Sequence, residues 1–322
     1  MKVLNWGLIG AGDIVRKRIA PALNELENCN LAAVSRGRAD LAEAFAAEFG
    51  VERWYGDWRD MLADDCVDAV YIASPVYLHA EHTIAAAEAG KHVLCEKPMA
   101  MDVAECDRMI AACETNNVRL GIAYYRRFYP VLERVRQALA SGEIGRPVFA
   151  QINTFEYFNP GPDHPRRWFV EKAKSGGGPM MDFGCHRLEL LTDLFGKVSR
   201  AESIVASVEF DREVEDTAAV LLKFESGPCA SLVVTHASLE PQDTLDIFGT
   251  KGSVHIESLN TGEIRIKTSA GEKTEKHPPS PNFHTPLIEE FADAVIHGHE
   301  PRIGGETGRI VASLEDQIYG RK

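Results

Sequence analysis

The first 125 residues alternate between two hydrophobic periodicities, and that alternation constrains the fold more than any other feature of the chain. Short, near-continuous apolar runs rich in Val, Ile and Leu occur at 3–9, 31–35, 67–73, 91–95 and 118–124. Between them lie alanine-rich stretches with helical spacing, at 14–26, 39–49, 79–89 and 103–116. Strands that are apolar throughout are buried on both faces, and amphipathic helices between them supply the cover. The pattern predicts an α/β fold with an N-terminal doubly wound parallel sheet.

The texture changes after Tyr129. A helix is expected at 131–140 and a strand at 148–157, and the glycine run at 176–178 opens onto a helix reaching about Phe195. Strands follow at 201–210, 217–225, 230–237, 244–248, 253–257 and 263–268, with turns short enough for hairpins. The proline-bearing stretch 273–282 reads as a loop, and helices at 284–297 and 306–319 close the chain. Two domains are expected: 1–125, and a C-terminal α+β domain at 126–322 built on a mostly antiparallel open sheet. The last helix could pack back on the first.

Composition excludes several classes of partner. The 48 acidic residues outnumber 35 Lys and Arg, giving a net charge of −13 that would repel a phosphate backbone. No nucleic-acid partner is expected. No apolar run reaches the roughly 18 residues of a bilayer span. Seven dispersed cysteines, never spaced C-x-x-C, argue against a disulfide framework or a structural zinc site and make a reducing cytoplasm the default. Lys2 before the apolar residues 3–12 imitates a targeting signal. Asp13 and the basic cluster at 16–18 follow at once, as in a buried strand entering a helix.

The first strand runs into Gly7-Leu-Ile-Gly10-Ala-Gly12-Asp13-Ile14-Val15. Gly10 allows a tight turn, and Gly12 lets a pyrophosphate approach the backbone at the helix N-terminus. Val15 stands at the third fingerprint position. Asp13, Ile14 and Ser74 join the expected cofactor-binding set. After the second strand, where an adenosine ribose would be met by a carboxylate, the chain has Ser35-Arg36-Gly37-Arg38. A hydroxyl and guanidinium groups can hold a 2′-phosphate that a carboxylate would repel. NADP(H) is favoured over NAD(H), which stays possible; the bland reading leaves Arg36 and Arg38 as solvated loop charges.

Three further segments resemble one family. Gly90-Lys-His-Val-Leu-Cys-Glu96-Lys97-Pro98 is similar to the Glu-Lys-Pro signature of the Gfo/Idh/MocA oxidoreductases. Gly176-Gly-Gly-Pro-Met-Met-Asp182-Phe-Gly184-Cys-His186 resembles their second signature, and Tyr124-Tyr-Arg126-Arg127-Phe128 their Arg-Arg-Phe segment. The resemblance implies a Rossmann domain and an α/β domain whose open sheet forms a homodimer or homotetramer interface. It also implies nicotinamide-dependent hydride transfer at a carbinol or carbonyl carbon of a sugar, polyol or related cyclic alcohol or ketone. Carried over by position, Lys97, Asp182 and His186 are the catalytic group, and His79, Glu96, Lys97 and Arg127 belong to the cofactor site. Val76, Tyr125 and Glu189 depart from the residues common in the family, which bears on the substrate more than on the chemistry.

Those residue types suit the reaction. Moving a hydride from a carbinol carbon requires the hydroxyl proton to leave, and histidine titrates near neutrality. Asp182 and His186, at i and i+4, share one helix face. A lysine ammonium stabilises negative charge developing on oxygen. Tyr125, His164 and Trp168 are weaker candidates for substrate contact, with a surface loop and a packing tryptophan as the plain alternative for the last two. His236 and His255 fall in strands and read as structural. No metal is expected: Asp182 and His186 could ligate with His164 or Glu156, but no H-E-x-x-H or cysteine pair supports it. Two other functions stay open, a cofactor-retaining glycosidase that uses transient oxidation and a non-catalytic dinucleotide or metabolite sensor.

Overall fold

A computed structural model describes residues 2–321, so the two terminal residues of the expected domains lie outside the described residues. The chain forms two compact units, Met1–Tyr125 with Asn282–Ala312 and Arg126–Pro281 with Ser313–Lys322. From the sequence, the second domain runs to residue 322; the structure instead returns 282–312 to the first unit.

The first unit is built on β1 (Leu4–Ile9), α1 (Ala20–Glu25), β2 (Cys29–Ser35), α2 (Ala39–Phe49), β3 (Arg53–Tyr55), α3 (Trp58–Leu62), β4 (Ala69–Ile72), α4 (His79–Glu88), β5 (His92–Cys95), α5 (Val103–Thr115) and β6 (Leu120–Ile122). The sheet order is β3-β2-β1-β4-β5-β6, and every pairing is parallel. The order reverses between β1 and β4, the switch point where such sheets bind ligands. Buried Leu8, Val34, Val70, Ile72, Val93 and Leu94 account for the continuous apolar runs. Two elements, β3 and α3, lie outside the strands and helices that the periodicity predicts. Strand β3 is an edge strand whose residues Arg53 and Trp54 are exposed, so it lacks the two-sided burial that makes a parallel strand legible.

The second unit begins with α6 (Pro130–Ala140), β7 (Pro147–Tyr157), α7 (Lys172–Ser175) and α8 (Cys185–Phe195). Strands β8 (Val198–Ala206), β9 (Thr217–Phe224), β10 (Cys229–Thr235), β11 (Ala237–Gly249), β12 (Gly252–Ile256), β13 (Glu263–Thr268) and β14 (Gly271–Lys276) follow. They form a sheet in the order β14-β13-β12-β11-β7-β10-β9-β8. All pairings are antiparallel except β7 with β10, which run parallel in register from Phe149 beside Cys229 to Phe155 beside Thr235. Burial alternates strictly along β10, as in a sheet covered on one face only.

Two expectations are corrected here. The stretch 273–282 is not loop throughout, because 273–276 lie in β14. This polar edge strand, Gly-Glu-Lys-Thr-Glu-Lys, has no apolar alternation to reveal it, which is how natural sheets blunt their edges. The strand expected at 201–210 stops at Ala206. Beyond it the Asp216 carboxylate accepts the backbone N–H groups of Val208, Glu209 and Phe210 at 2.8–3.0 Å, diverting the chain into a turn. Helices α9 (Thr285–His297) and α10 (Gly305–Tyr319) close the chain, and the division between the units falls within α10.

Candidate active site

In the first unit, the loops at the carboxyl edge of the sheet carry the glycine turn, Ser74 and Lys97. Gly10 ends β1 with φ +92°, and a Cβ there would stand 2.8 Å from the Ala73 carbonyl oxygen; only glycine fits both demands. Its N–H donates to Ser35 O at 3.0 Å, tying the turn to the end of β2. At Gly12 a Cβ would meet nothing within 4 Å, so the missing side chain leaves room beside the backbone that the protein does not fill. Asp13 is exposed and paired with Lys17 at 2.7 Å, and Ile14 is exposed. This open cradle, at the start of the helical segment running through α1, fits a pyrophosphate.

Ser35 is buried, and Arg36 follows it half-buried. Burial, reinforced by the guanidinium groups of Arg16 and Arg38, pulls the Arg36 pKa below its usual value. Arg38 is exposed and bidentate on Asp40 at 2.6–3.2 Å. Three guanidinium groups therefore bear on the end of β2.

Lys97 follows β5 directly. The Glu96 carboxylate is buried, accepts from Tyr71 Oη at 2.7 Å and from the Lys97 N–H at 3.1 Å, and is pushed up by desolvation. The Lys97–Pro98 bond is cis. His79, at the start of α4, is buried with Nδ1 3.0 Å from Pro98 O and Nε2 2.9 Å from Ser74 O, and burial lowers its pKa. A neutral imidazole donates to only one of these two carbonyls, so the ring packs between the loop after β4 and the loop after β5 with a single hydrogen bond. The Ser74 hydroxyl lies 3.0 Å from His82 Nδ1. Tyr125 stacks on His284 with centroids 4.3 Å apart, and burial pushes His284 down to about 3.

In the second unit, the glycine run has a structural cause. The buried Glu215 carboxylate accepts from the N–H groups of Gly178 at 2.8 Å and Met180 at 3.2 Å, and from Tyr319 Oη at 2.6 Å. A side chain at Gly178 would collide with the Glu215 carbonyl. The chain then enters a π-helical turn, Met180–Gly184, before α8. Such turns recur at functional sites. This one carries Asp182, and His186 follows in the first turn of α8, 3% exposed.

Asp182 Oδ2 lies 3.8 Å from Arg166 Nη2 and 3.7 Å from His236 Nε2. The Arg166 guanidinium in turn covers the rings of Phe158 and Phe169, at 4.4 and 4.7 Å. His164 is exposed and its Nδ1 accepts from the Arg166 N–H, while Trp168 stacks on Phe169 at 4.0 Å. Arg127 pairs with the buried Glu189, whose carboxyl is pushed up to about 7 by burial, and with Asp193 at 3.4 Å. It belongs to a carboxylate cluster anchored on α8.

From the sequence His236 reads as structural, and Arg212 and Glu215 belong to no motif. A signal existed for the histidine. Ala230, Leu232 and Val234 occupy the covered face, so two residues on His236 must be buried too, and a buried imidazole needs partners. Among the described residues, the His, Cys, Asp and Glu groups close enough to share an ion are Glu156, Asp182 and His236, not the set with His186 and His164.

Comparison with known proteins bears on what this arrangement belongs to. The model of an oxidoreductase family with an NAD-binding Rossmann fold matches residues 4–124, and that of the GFO/IDH/MocA C-terminal domain matches 132–255. The 1,5-anhydro-D-fructose reductase of Ensifer adhaerens is 31% identical over 310 residues, covering 94% of this chain and 91% of its own. The chain belongs to the Gfo/Idh/MocA oxidoreductase family. Among other members, the D-xylose 1-dehydrogenase (NADP(+)) 2 of Haloferax volcanii is 31% identical, over 98% of this chain and 96% of its own. A levoglucosan dehydrogenase solved with NADH and levoglucosan superposes with a TM-score of 0.90 at 25% identity, over 99% and 97% of the two chains. The protein is an oxidoreductase of this Gfo/Idh/MocA type. No helix among the described residues is long and apolar enough to cross a membrane.

Proposed function

We propose that this protein transfers a hydride between NADP(H) and a carbinol or carbonyl carbon of a sugar, polyol or related cyclic alcohol. The observation that carries the reading lies at the carboxyl edge of the first sheet. The Ala73 N–H donates to Ile9 O beside the Gly10 turn, and the buried His79 ring packs between Ser74 O and Pro98 O, so the cofactor cradle and the lysine loop lie together at one edge. Gly10, Gly12, Asp13 and Ile14 would hold the pyrophosphate, and Ser74, His79, Glu96 and Lys97 the nicotinamide end. A bound nicotinamide supplies the hydride acceptor or donor. His186 takes the hydroxyl proton in oxidation and returns it in reduction. Asp182 orients the hydroxyl, and the Lys97 ammonium stabilises the developing alkoxide. Arg127, held by Glu189 and Asp193, positions α8 and with it His186.

NADP(H) is preferred because Arg36 follows Ser35 directly, where a 2′-phosphate would meet it, with the Arg16 and Arg38 guanidinium groups, paired to Glu48 and Asp40, adding to the local positive charge. The NADP(+)-named xylose dehydrogenase points the same way, and the NADH-bound levoglucosan dehydrogenase shows that the fold accepts either. Sugar-named relatives support a sugar or polyol as the substrate class.

Titration with NADPH and NADH, followed by nicotinamide fluorescence, tests the cofactor. A panel of aldoses, ketoses and cyclic polyols, read at the nicotinamide absorbance, tests the reaction. NADPH should bind at least about tenfold tighter. Lys97→Ala and His186→Ala should each lower kcat by about 10²–10⁴ while the melting temperature holds. Wild-type turnover in both variants would refute the assignment.

A further inference from the structure

Asp182 has a neighbour that hydride transfer as proposed leaves unused. His236 is fully buried between β10 and β11, its ring set by the edges of Phe158 and Phe183 with centroids 5.1 and 5.0 Å away. Its Nδ1 lies 3.1 Å from Arg212 Nη2. A guanidinium has donors and no acceptor, so Nδ1 must accept, and the neutral ring then carries its hydrogen on Nε2. Arg212 cannot turn away easily, because it also donates to Phe158 O at 3.0 Å and Glu215 O at 2.8 Å.

The Nε2–H group is thereby aimed in a fixed direction, and it has no hydrogen-bond partner among the described residues. A buried donor left unsatisfied costs about 1–3 kcal/mol, so it calls for a ligand. It stands 3.7 Å from Asp182 Oδ2 and 3.7 Å from the half-exposed Glu156 Oε1. Those gaps are too long for direct hydrogen bonds, but one oxygen about 2.8 Å from each atom could bridge either gap.

A divalent cation is the obvious occupant of a Glu-Asp-His group, and the donor set does not fit it. A metal needs the Nε2 lone pair, which moves the ring hydrogen to Nδ1 and turns it against the Arg212 N–H. A hydroxyl fits without conflict. Its oxygen accepts from Nε2–H while its own hydrogen goes to a carboxylate. With two carboxylates flanking one donor, two hydroxyls on neighbouring carbons can be held together.

We infer that Glu156, Asp182 and His236 form a hydroxyl-binding subsite that selects substrates bearing a vicinal diol over simple alcohols and ketones. The inference rests on the proposed role of Asp182 toward the substrate, and it adds His236 and Glu156 as residues that set specificity.

The test is calorimetric binding to the protein saturated with NADP⁺, using D-glucose, D-xylose and myo-inositol, each beside its monodeoxy analogues. For the sugars that bind, wild type should bind at least one deoxy analogue about tenfold or more weakly than its parent, the size expected for one hydrogen bond lost beside a carboxylate. His236→Phe, which keeps the ring shape without the donor, should shrink that penalty to about twofold. His236→Gln should restore it, since its amide can accept from Arg212 and donate forward. Glu156→Gln, at a half-exposed site, should also reduce the penalty. A purely structural histidine predicts the reverse, with parent and analogue weakening together and their ratio unchanged, and that result overturns the subsite. So does the failure of all three parent compounds to bind, or zinc binding that disappears in His236→Phe. Hydroxyl-dependent binding without turnover would refute the hydride-transfer reading and leave the subsite standing.

Discussion

Arg36 carries the choice of cofactor at the scale of one side chain. Its neighbour Arg38 is already bidentate on Asp40, so most of that charge is answered. Arg36 instead sits half-buried with Arg16 and Arg38 bearing on it, an arrangement that favours an anion arriving from outside the protein. Arg36→Ala should therefore weaken NADPH binding by about 10–100-fold, the worth of one or two charge-assisted hydrogen bonds, and leave NADH within about twofold. Fluorescence titration of both nucleotides against both proteins gives the ratio directly. An equal loss for the two nucleotides would place Arg36 on the pyrophosphate or in the fold.

The loop before α8 shows why some elements of the site were legible in the sequence and others were not. The glycine run and the spacing of Asp182 and His186 mark a turn entering a helix, and that much is local. The reason for the glycines is not local: Glu215 and Tyr319 press on the loop from 35 or more residues away in the chain. The same contrast holds across both sheets. Strands buried on both faces, such as β1 and β4, announce themselves by composition, whereas the edge strands β3 and β14 have exposed surfaces and read as loop. His236 was hidden differently, because parity gives its burial while only the tertiary contact with Arg212 gives its tautomer. The loop yields its own prediction. Gly178→Ala forces a methyl group into the Glu215 carbonyl, which the Arg212 guanidinium holds in place at 2.8 Å, and should cost about 2–4 kcal/mol. Urea unfolding measures the cost. Activity in the fraction that stays folded should fall as well, since Asp182 hangs from this turn. An unchanged midpoint would mean that the loop can shift away from Glu215, and that the glycine run does not fix the site.

At the scale of the whole molecule, the open face of the second sheet needs an explanation that one chain does not provide. Cross-strand pairing puts Ile204 beside Ala219, Leu221 beside Ser231, and Phe248 beside Phe149 on the side opposite the core residues Val220, Leu232 and Ile247. Ile204 is 72% exposed, Leu221 59% and Phe248 41%. Isolated apolar side chains on a surface are ordinary, but several on one sheet face across neighbouring strands form the kind of patch that protein–protein contacts cover. A second copy of this chain is the proposed cover, face against face, and a twofold contact of that kind is self-complementary. One change then counts twice, because each interface contains both copies of the altered residue. Leu221→Asp puts two carboxylates into the buried contact, where they repel and lose their hydration, so the assembly should fall to monomer at micromolar concentration. Light scattering behind size-exclusion chromatography reads the mass. In the monomer the same aspartate stands in water on a solvated strand, so the melting transition should lose only what assembly contributed and become independent of protein concentration. A wild-type protein that already runs as a monomer would remove the premise. A variant of unchanged mass would move the interface to another face.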